Sequence, residues 1–485
     1  MKKLILILVT AVIAVSCSDS LEDLNANIKD PVAVSGESLF ASAQKQLTDQ
    51  VVTPNVNQNN LRLWMQYLTE TTYTDESNYD QVTRSIPDNN WREMYRDVLK
   101  DLDEAAKVVE ATDNDITNPL KSNKLAIIET LTVYTYASLV ETYGDVPYSE
   151  ALDVDNLLPA YDDGLTIYKD LIARLTAASS SMNPSLGSFG GAEDLIYGGD
   201  VGHWKKFANS LKLKMGVMIA DVDAGAAKSA VESAVAAGVF SSNGDNGSYH
   251  YNGAAPNNNP MNNNLVLSGR NDFVAAETII DNMNAKEDPR RAVYFTMIDG
   301  EYVGGVVGAI SPHSEHSHVA DRLIEGAEPG VLLDYTEVEF LLAEAAARTF
   351  NVGGTAESHY VAGITASFDF WGASDLATYL ARPDVDYASA LAASSASTPW
   401  KEVIGTQAWI GLYNRTFAAY SSVRRLDYPL LKEPADAETG FPVRYTYPVI
   451  EQTLNGANYD AASSAIGGDA PETQLFWDKF YTFDF

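Results

Sequence analysis

The 485-residue chain predicts a mainly α-helical fold, one large domain of tetratricopeptide-like helical hairpins with a loop-rich side. Three observations carry that expectation. Apolar residues recur at alternating spacings of three and four through most of the chain. Strand signals are few and short, with 444–447 the best of them. No linker, low-complexity run or charge block divides the chain, although a length rule alone allows about three domains.

Each element has its own reason. Trp91, Tyr95, Val98, Leu102, Ala105 and Val109 lay one apolar stripe on a helix, with Asn90 placed to cap it. The next helix is predicted over 122–143. Between Ala126 and Val140 its only charge is Glu129, so other helices should surround it. Gly144 permits the left-handed turn that ends it, and Pro147 prevents continuation. Asp162 or Asp163 can cap a third helix with Leu165, Tyr168, Ile172, Leu175 and Ala178 on one face. Further helices are expected over 203–220, 226–237, 272–285, 335–349, 356–369 and 399–423. After Asp334, Val338, Leu341, Leu342 and Ala345 share a face, while Ala343, Ala345, Ala346 and Ala347 admit a close neighbour. Paired helices with small-residue seams suggest stacked hairpins, without a strict repeat length.

Three stretches break the helical pattern. Residues 71–90 are rich in Tyr, Asn and Asp; 241–270 contain Gly, Pro and two Asn runs; 300–318 are Gly-rich, then His-rich. Long loops on a helical scaffold usually carry function.

The N-terminus reads as an export signal. Lys2 and Lys3 precede an apolar run over 4–15, too short to span a bilayer as a mature helix but suited to a secretory h-region. Small Ala14 and Ser16 lead to Cys17, the only cysteine. A thiol so placed is the acceptor of a bacterial lipid anchor, whose several palmitate-like chains suffice for stable attachment. The expected organisation is therefore a lipoprotein signal peptide over 1–16 and a single domain over 17–485. Ser18, Asp19, Ser20, Leu21, Glu22 and Asp23 give the mature chain an acidic start, of the kind that sends some lipoproteins to the cell exterior. With one thiol there are no disulfides, so the exported chain must rely on its core.

Composition bounds the function. The chain is 46% hydrophobic and 20% charged, enough for a large core. Its net charge is −33, and removing 1–16 takes away Lys2 and Lys3 and no acid. Nucleic acid is thereby excluded as a natural partner, while neutral or cationic ligands are compatible. There is no Gly-x-Ser-x-Gly elbow, phosphate loop or His-Glu-x-x-His helix, and the lone thiol is committed to lipid. No enzyme activity is expected. His313, His316 and His318, with Glu315, have a spacing that can bind zinc or copper, but a solvated polar loop is the preferred reading of them. No metal and no cofactor are assigned.

Several segments carry a resemblance. Glu141-Thr142-Tyr143-Gly144-Asp145-Val146-Pro147-Tyr148, Trp204-Lys205-Lys206-Phe207-Ala208-Asn209-Ser210-Leu211-Lys212, Asp288-Pro289-Arg290 and the run from Tyr335 to Ala345 follow one another along the chain. Arg424-Arg425 through Tyr428-Pro429 comes next, then Arg444-Tyr445, Tyr447-Pro448, Glu451, Asn455 and Asn458-Tyr459. Together they resemble, in order, the motifs of the SusD/RagB nutrient-binding outer-membrane lipoproteins. Most of these residues are expected to build the fold without touching ligand.

The resemblance implies four tetratricopeptide-like units and a variable side that binds nutrient, most often an oligosaccharide and in some members a peptide. It also implies a partner, a SusC-like TonB-dependent barrel on which the lipoprotein sits as a hinged lid at the outer membrane. A scaffold lipoprotein without transport is the reading from another class. The 26 Tyr, 7 Trp and 16 Phe include the candidate ligand platforms, since sugar rings lie on flat aromatics while amides and Arg bond their hydroxyls. The candidate ligand-binding residues are Tyr73, Asn78, Tyr79, Tyr249, Tyr251, Arg270 and Tyr302, in the three loops. Trp64, Trp91, Trp204 and Trp409 are expected in the core.

Overall fold

The computed structural model describes residues 34–112 and 119–479. The expected signal peptide and Cys17 lie outside the described residues. Helices dominate, as the apolar spacing predicts. Those of nine or more residues are α1 (Gly36–Val52), α2 (Lys100–Thr112), α3 (Pro119–Tyr143), α4 (Gly164–Ser181), α5 (Val201–Met218) and α6 (Ala224–Ala237). They continue with α7 (Glu277–Ala285), α8 (Tyr335–Ala347), α9 (Ala356–Trp371), α10 (Pro399–Gly411), α11 (Thr416–Leu426) and α12 (Gly456–Ile466). Consecutive helices pack as pairs, α3 with α4, α5 with α6, α8 with α9 and α10 with α11. These are the helical hairpins the sequence suggested.

The helix ends have local causes. The Asp163 carboxylate accepts from Thr166 N at 2.8 Å at the start of α4, and Asp334 does the same for Glu337 N at 2.8 Å at the start of α8. Gly144 stops α3 at φ 93°, and a Cβ there would sit 2.9 Å from the Leu475 side chain. Both the turn and the approach of the C-terminal segment therefore need glycine.

Four expectations are corrected. The helix bearing Trp91 begins at Ile86, with Pro87 in its first turn, and passes through a π-helical stretch, Glu93–Leu99, before α2. Asn90 is no cap; it lies inside that helix, where its side-chain oxygen accepts from the Tyr143 hydroxyl at 3.1 Å. The span 272–285 divides into a strand, Phe273–Ala275, and α7. The span 399–423 breaks between α10 and α11, because Arg415 turns its side chain inward to Leu332 O and Glu337, both at 2.6 Å. The stretch 444–447 makes no strand. It lies against the end of α3 instead, and some of its hydrogen bonds go to helix carbonyls that have no intrahelical partner. Tyr445 N donates to Thr142 O at 3.0 Å and the Arg444 guanidinium to Tyr143 O at 3.0 Å. Arg424 covers Glu141 O at 2.9 Å.

Strands occur as three antiparallel pairs: β1 (Leu68–Glu70) with β5 (Phe273–Ala275), β2 (Val146–Pro147) with β3 (Tyr161–Asp162), and β4 (Gly247–Tyr249) with β6 (Gly330–Leu333). They tie loops together rather than build a layer.

One hydrophobic cluster reaches from Phe40 to Trp477 and includes fully buried Trp64, Trp204 and Trp409; Trp91 packs on it half-buried. A smaller cluster between α8, α9 and α10 is built on Phe340, Tyr360, Phe368 and Tyr379. Inside this stack runs a chain of buried charges. Lys214 lies 3.5 Å from both Glu141 and Glu337, Arg415 pairs with Glu337, Arg425 with Glu344 at 2.9 Å, and Arg348 with Asp221 at 2.7 Å. Arg290 and Asp288, both without exposed side-chain surface, pair at 2.6 Å, and Arg290 also donates to Gln407. A buried charge is tolerated only with such partners. The motif residues Glu141, Arg290, Glu337, Glu344 and Arg425 thus act as core fixtures.

Candidate ligand-binding site

The loop side is organised by the β1–β5 ladder, in which Leu68 faces Ala275 and Glu70 faces Phe273. Past the ladder, Thr71 N and Oγ1 donate to Asp272 O and Asn271 O, each at 2.8 Å. The 71–90 loop and the end of the 241–270 loop are thereby stitched side by side. Tyr73 then takes a left-handed backbone, φ 56°, which throws its ring outward; it is 73% exposed.

Tyr73 and Arg270 border one cavity of about 130 Å³. Amides of Asn55, Asn57 and Asn264 line it, with Arg84, Glu70 and Asp272. Its charges are paired within the wall. Arg270 Nε donates to Asp272 at 2.6 Å, and Arg84 pairs with Glu76. The Glu70 carboxyl is held well above the ordinary carboxylate range by burial first and by contact with Glu76 second. The cavity thus presents hydrogen-bonding groups, one flat exposed ring and side chains already engaged in ion pairs.

The other sequence-chosen residues fall elsewhere. Asn78 and Tyr79 are buried behind the loop as its support. Asn78 donates to Gly308 O at 2.8 Å and to Thr74 O at 2.9 Å, and its oxygen accepts from Asp436 N at 2.9 Å. A side chain at Gly308, φ 75°, would run into Asn78, so this three-loop knot needs glycine. Tyr79, 1% exposed, meets Trp64 and Phe441 edge-on at 6.5 and 5.9 Å.

Tyr249 and Tyr251 are also buried, with ring centroids 4.9 Å apart. Tyr251 donates to Asp49 at 2.7 Å as an anchor on α1. Tyr249 borders a second cavity of about 500 Å³ with Lys45, His250 and Asn252, and burial lifts its phenol to about 12. Tyr302 lies half-buried beneath the Arg291 guanidinium at 5.3 Å. In the histidine loop His313 and His318 stack at 4.2 Å, while His316 turns Nδ1 to Pro312 O at 2.9 Å. Among the described residues no group of three or more His, Cys, Asp or Glu is placed to hold a metal.

The structure thus brings Tyr73 and Arg270 together and sets the other five apart from them. It adds Asn55, Asn57, Asn264, Arg84 and Asp272. The Asn-rich run 54–60 was the sequence signal for the first two.

The profile of the family described as "Starch-binding associating with outer membrane" matches residues 28–448. The chain belongs to the SusD-like family. Among solved structures, this SusD-like chain is similar to a chitin-binding protein, with 26% identity, TM-score 0.78, and coverage of 92% of this chain and 100% of that one. A SusD homolog from Bacteroides uniformis gives 26% identity, TM-score 0.77, and coverage of 91% and 99%. A chitin-binding SusD homolog from Flavobacterium johnsoniae, 24% identical with TM-score 0.76 and coverage of 91% and 98%, shares the fold. No curated protein matches the chain. The family is associated with the outer membrane, and no helix among the described residues is long and apolar enough to cross one.

Proposed function

We propose that this SusD-like protein binds an uncharged oligosaccharide through the Tyr73 cavity and performs no reaction on it. The observation that carries the reading is the outward Tyr73 ring beside three amides and Arg270, with the wall charges neutralised among themselves. An exposed phenol offers its face to the C–H face of a pyranose, and amides and a guanidinium bond the hydroxyls. A charged ligand would find no unpaired counter-charge there. The similarity to a chitin-binding protein at 26% identity supports a glycan over a peptide.

On this reading residues 17–485 are one domain, held at the cell exterior by lipid on Cys17. The protein closes as a lid over a SusC-like TonB-dependent barrel, because ligand contacts favour the closed state. A soluble form comprising residues 18–485 is expected to bind a subset of neutral glycans on an array and to ignore sulfated and sialylated ones. Binding confined to acidic glycans, or none at all, overturns the reading. Cys17→Ala is expected to move the protein from the membrane to the soluble fraction on cell fractionation.

A further inference from the structure

The Tyr73 cavity is small for a whole ligand. Sites that enclose a small molecule run to about 300–1,000 Å³, whereas this one has about 130 Å³. It grips one part of an oligosaccharide and leaves the rest to lie elsewhere. The cavity beside Tyr249 falls within that range, at about 500 Å³. Of its lining residues only Lys45 carries a fixed charge, and Lys45 is paired with Asp49. The polar lining also includes Gln46, His250, Asn252 and Asn257.

Two of those amides differ from the rest of their own loop. Asn258 donates to Asn262 at 2.8 Å, Asn259 to Glu328 O at 2.8 Å, Asn262 to Ile324 O at 2.7 Å and Asn264 to Pro260 O at 2.8 Å. These four hold the loop in place. The side chains of Asn252 and Asn257, and of Gln46 on α1, make no hydrogen bond to another described residue. Yet both asparagines stand on a fixed turn. Asn252 N donates to Asn257 O at 2.8 Å, and Asn257 N to Ala254 O at 2.9 Å. Each amide offers two donors and an acceptor, which suits hydroxyl groups that do both. A support already in place lowers the ordering cost of using them.

The two cavities share their walls. α1 carries Lys45 and Gln46, and the turn after its last residue, Val52, supplies Asn55 and Asn57 to the Tyr73 cavity. From Gln46 to Val52 the helix rises only about 9 Å. The other shared wall is the 241–270 loop. It gives Asn252 and Asn257 to one cavity, and Asn264 and Arg270 to the other. Between them the loop packs on α1 through the short helix Pro260–Asn262. The half-buried Asp49 on that stretch of α1 is held by Lys45 and, at 2.7 Å, by the Tyr251 hydroxyl.

We propose that the two cavities are the ends of one elongated site. The ligand is then a linear, neutral oligosaccharide lying along α1, with one unit on Tyr73 and later units among Gln46, Asn252 and Asn257. This rests on the glycan reading above and excludes a mono- or disaccharide as the full ligand. The test titrates the soluble form 18–485 by calorimetry with the cello-, malto-, xylo-, manno- and chito-oligosaccharide series, each from two to six units. In a series that binds, affinity should rise at least tenfold from the shortest member to the longest. Gln46→Ala, Asn252→Ala and Asn257→Ala combined should melt like the parent, hold the two-unit member within twofold and lose the rise. Gln46→Arg alone, which fills the cavity, should shorten the preferred chain in the same way. Tyr73→Ala should weaken every length.

A parent affinity that ignores chain length, or a rise that survives in both cavity variants, overturns the elongated site and leaves the Tyr73 reading standing. A parent that binds no member of any series overturns both.

Discussion

Two tyrosine loops, nearly indistinguishable by composition, meet opposite fates. In the 71–90 loop Tyr73 stands out into water beside Arg270 and three amides. In the 247–252 stretch Tyr249 and Tyr251 turn inward, and Tyr251 spends its hydroxyl on Asp49. The difference lies in the backbone that carries each ring. Tyr73 follows a strand end with a left-handed step, whereas Tyr249 is part of β4, paired in register with Gly330. A Cβ at Gly330 would lie 3.2 Å from the Tyr251 ring, so the partner strand supplies the space that ring occupies. An aromatic beside amides is thus a recognition element only where the chain cannot fold it under.

The largest expected effect tests the buried side. Tyr251→Ala removes a packed ring and leaves Asp49 only its bond from Lys45, at about 3 kcal/mol of stability. Denaturant unfolding should show this, with glycan affinity of the folded fraction unchanged; a loss of affinity at full stability would erase the distinction between the loops. Tyr73→Ala should do the reverse. Loss of a central aromatic platform is worth about 2 kcal/mol, or ~30-fold in Kd by calorimetry, with the melting temperature untouched.

The smallest effect sharpens the chemistry under Tyr73. Glu70 in the fold holds its proton well above the ordinary 4.5, chiefly through burial and then through Glu76. Its contribution to stability is therefore fully present below pH 4.5 and lost as pH rises through the lifted value. Stability should fall toward alkaline pH by at most about 1.4 kcal/mol per pH unit, and Glu70→Gln should flatten that slope. A parallel slope in parent and variant would place the proton elsewhere.

The helical stack was legible because its cause is local. A stripe such as Leu102, Ala105 and Val109 states both helix and face, while Gly144 states where α3 ends and Asp163 where α4 begins. What the period could not state was set from a distance. The break between α10 and α11 answers to Arg415 reaching Leu332 and Glu337, and Asn414 there accepts from Arg62 at 3.1 Å. The fates of Tyr73 and Tyr79, six residues apart, depend on Asn78 bonding Gly308 and Asp436, more than two hundred residues downstream. Asn55 and Asn57 belonged to a run that precedes the loops marked by length, so composition in the right place went unread. The family motifs were visible as motifs, while their meeting in one buried ion chain was not.

The seam between the end of α3 and residues 424–445 has a consequence for how the chain matures. Three carbonyls at positions 141–143 wait for donors that emerge some three hundred residues later. The first half of the polypeptide is therefore made with the longest described helix unfinished at one end. Closure comes only when the tail arrives, which makes the last eighth of the chain a latch on the first third. A product cut short before position 424 would be poorly shielded from proteases, however well its early helices had formed.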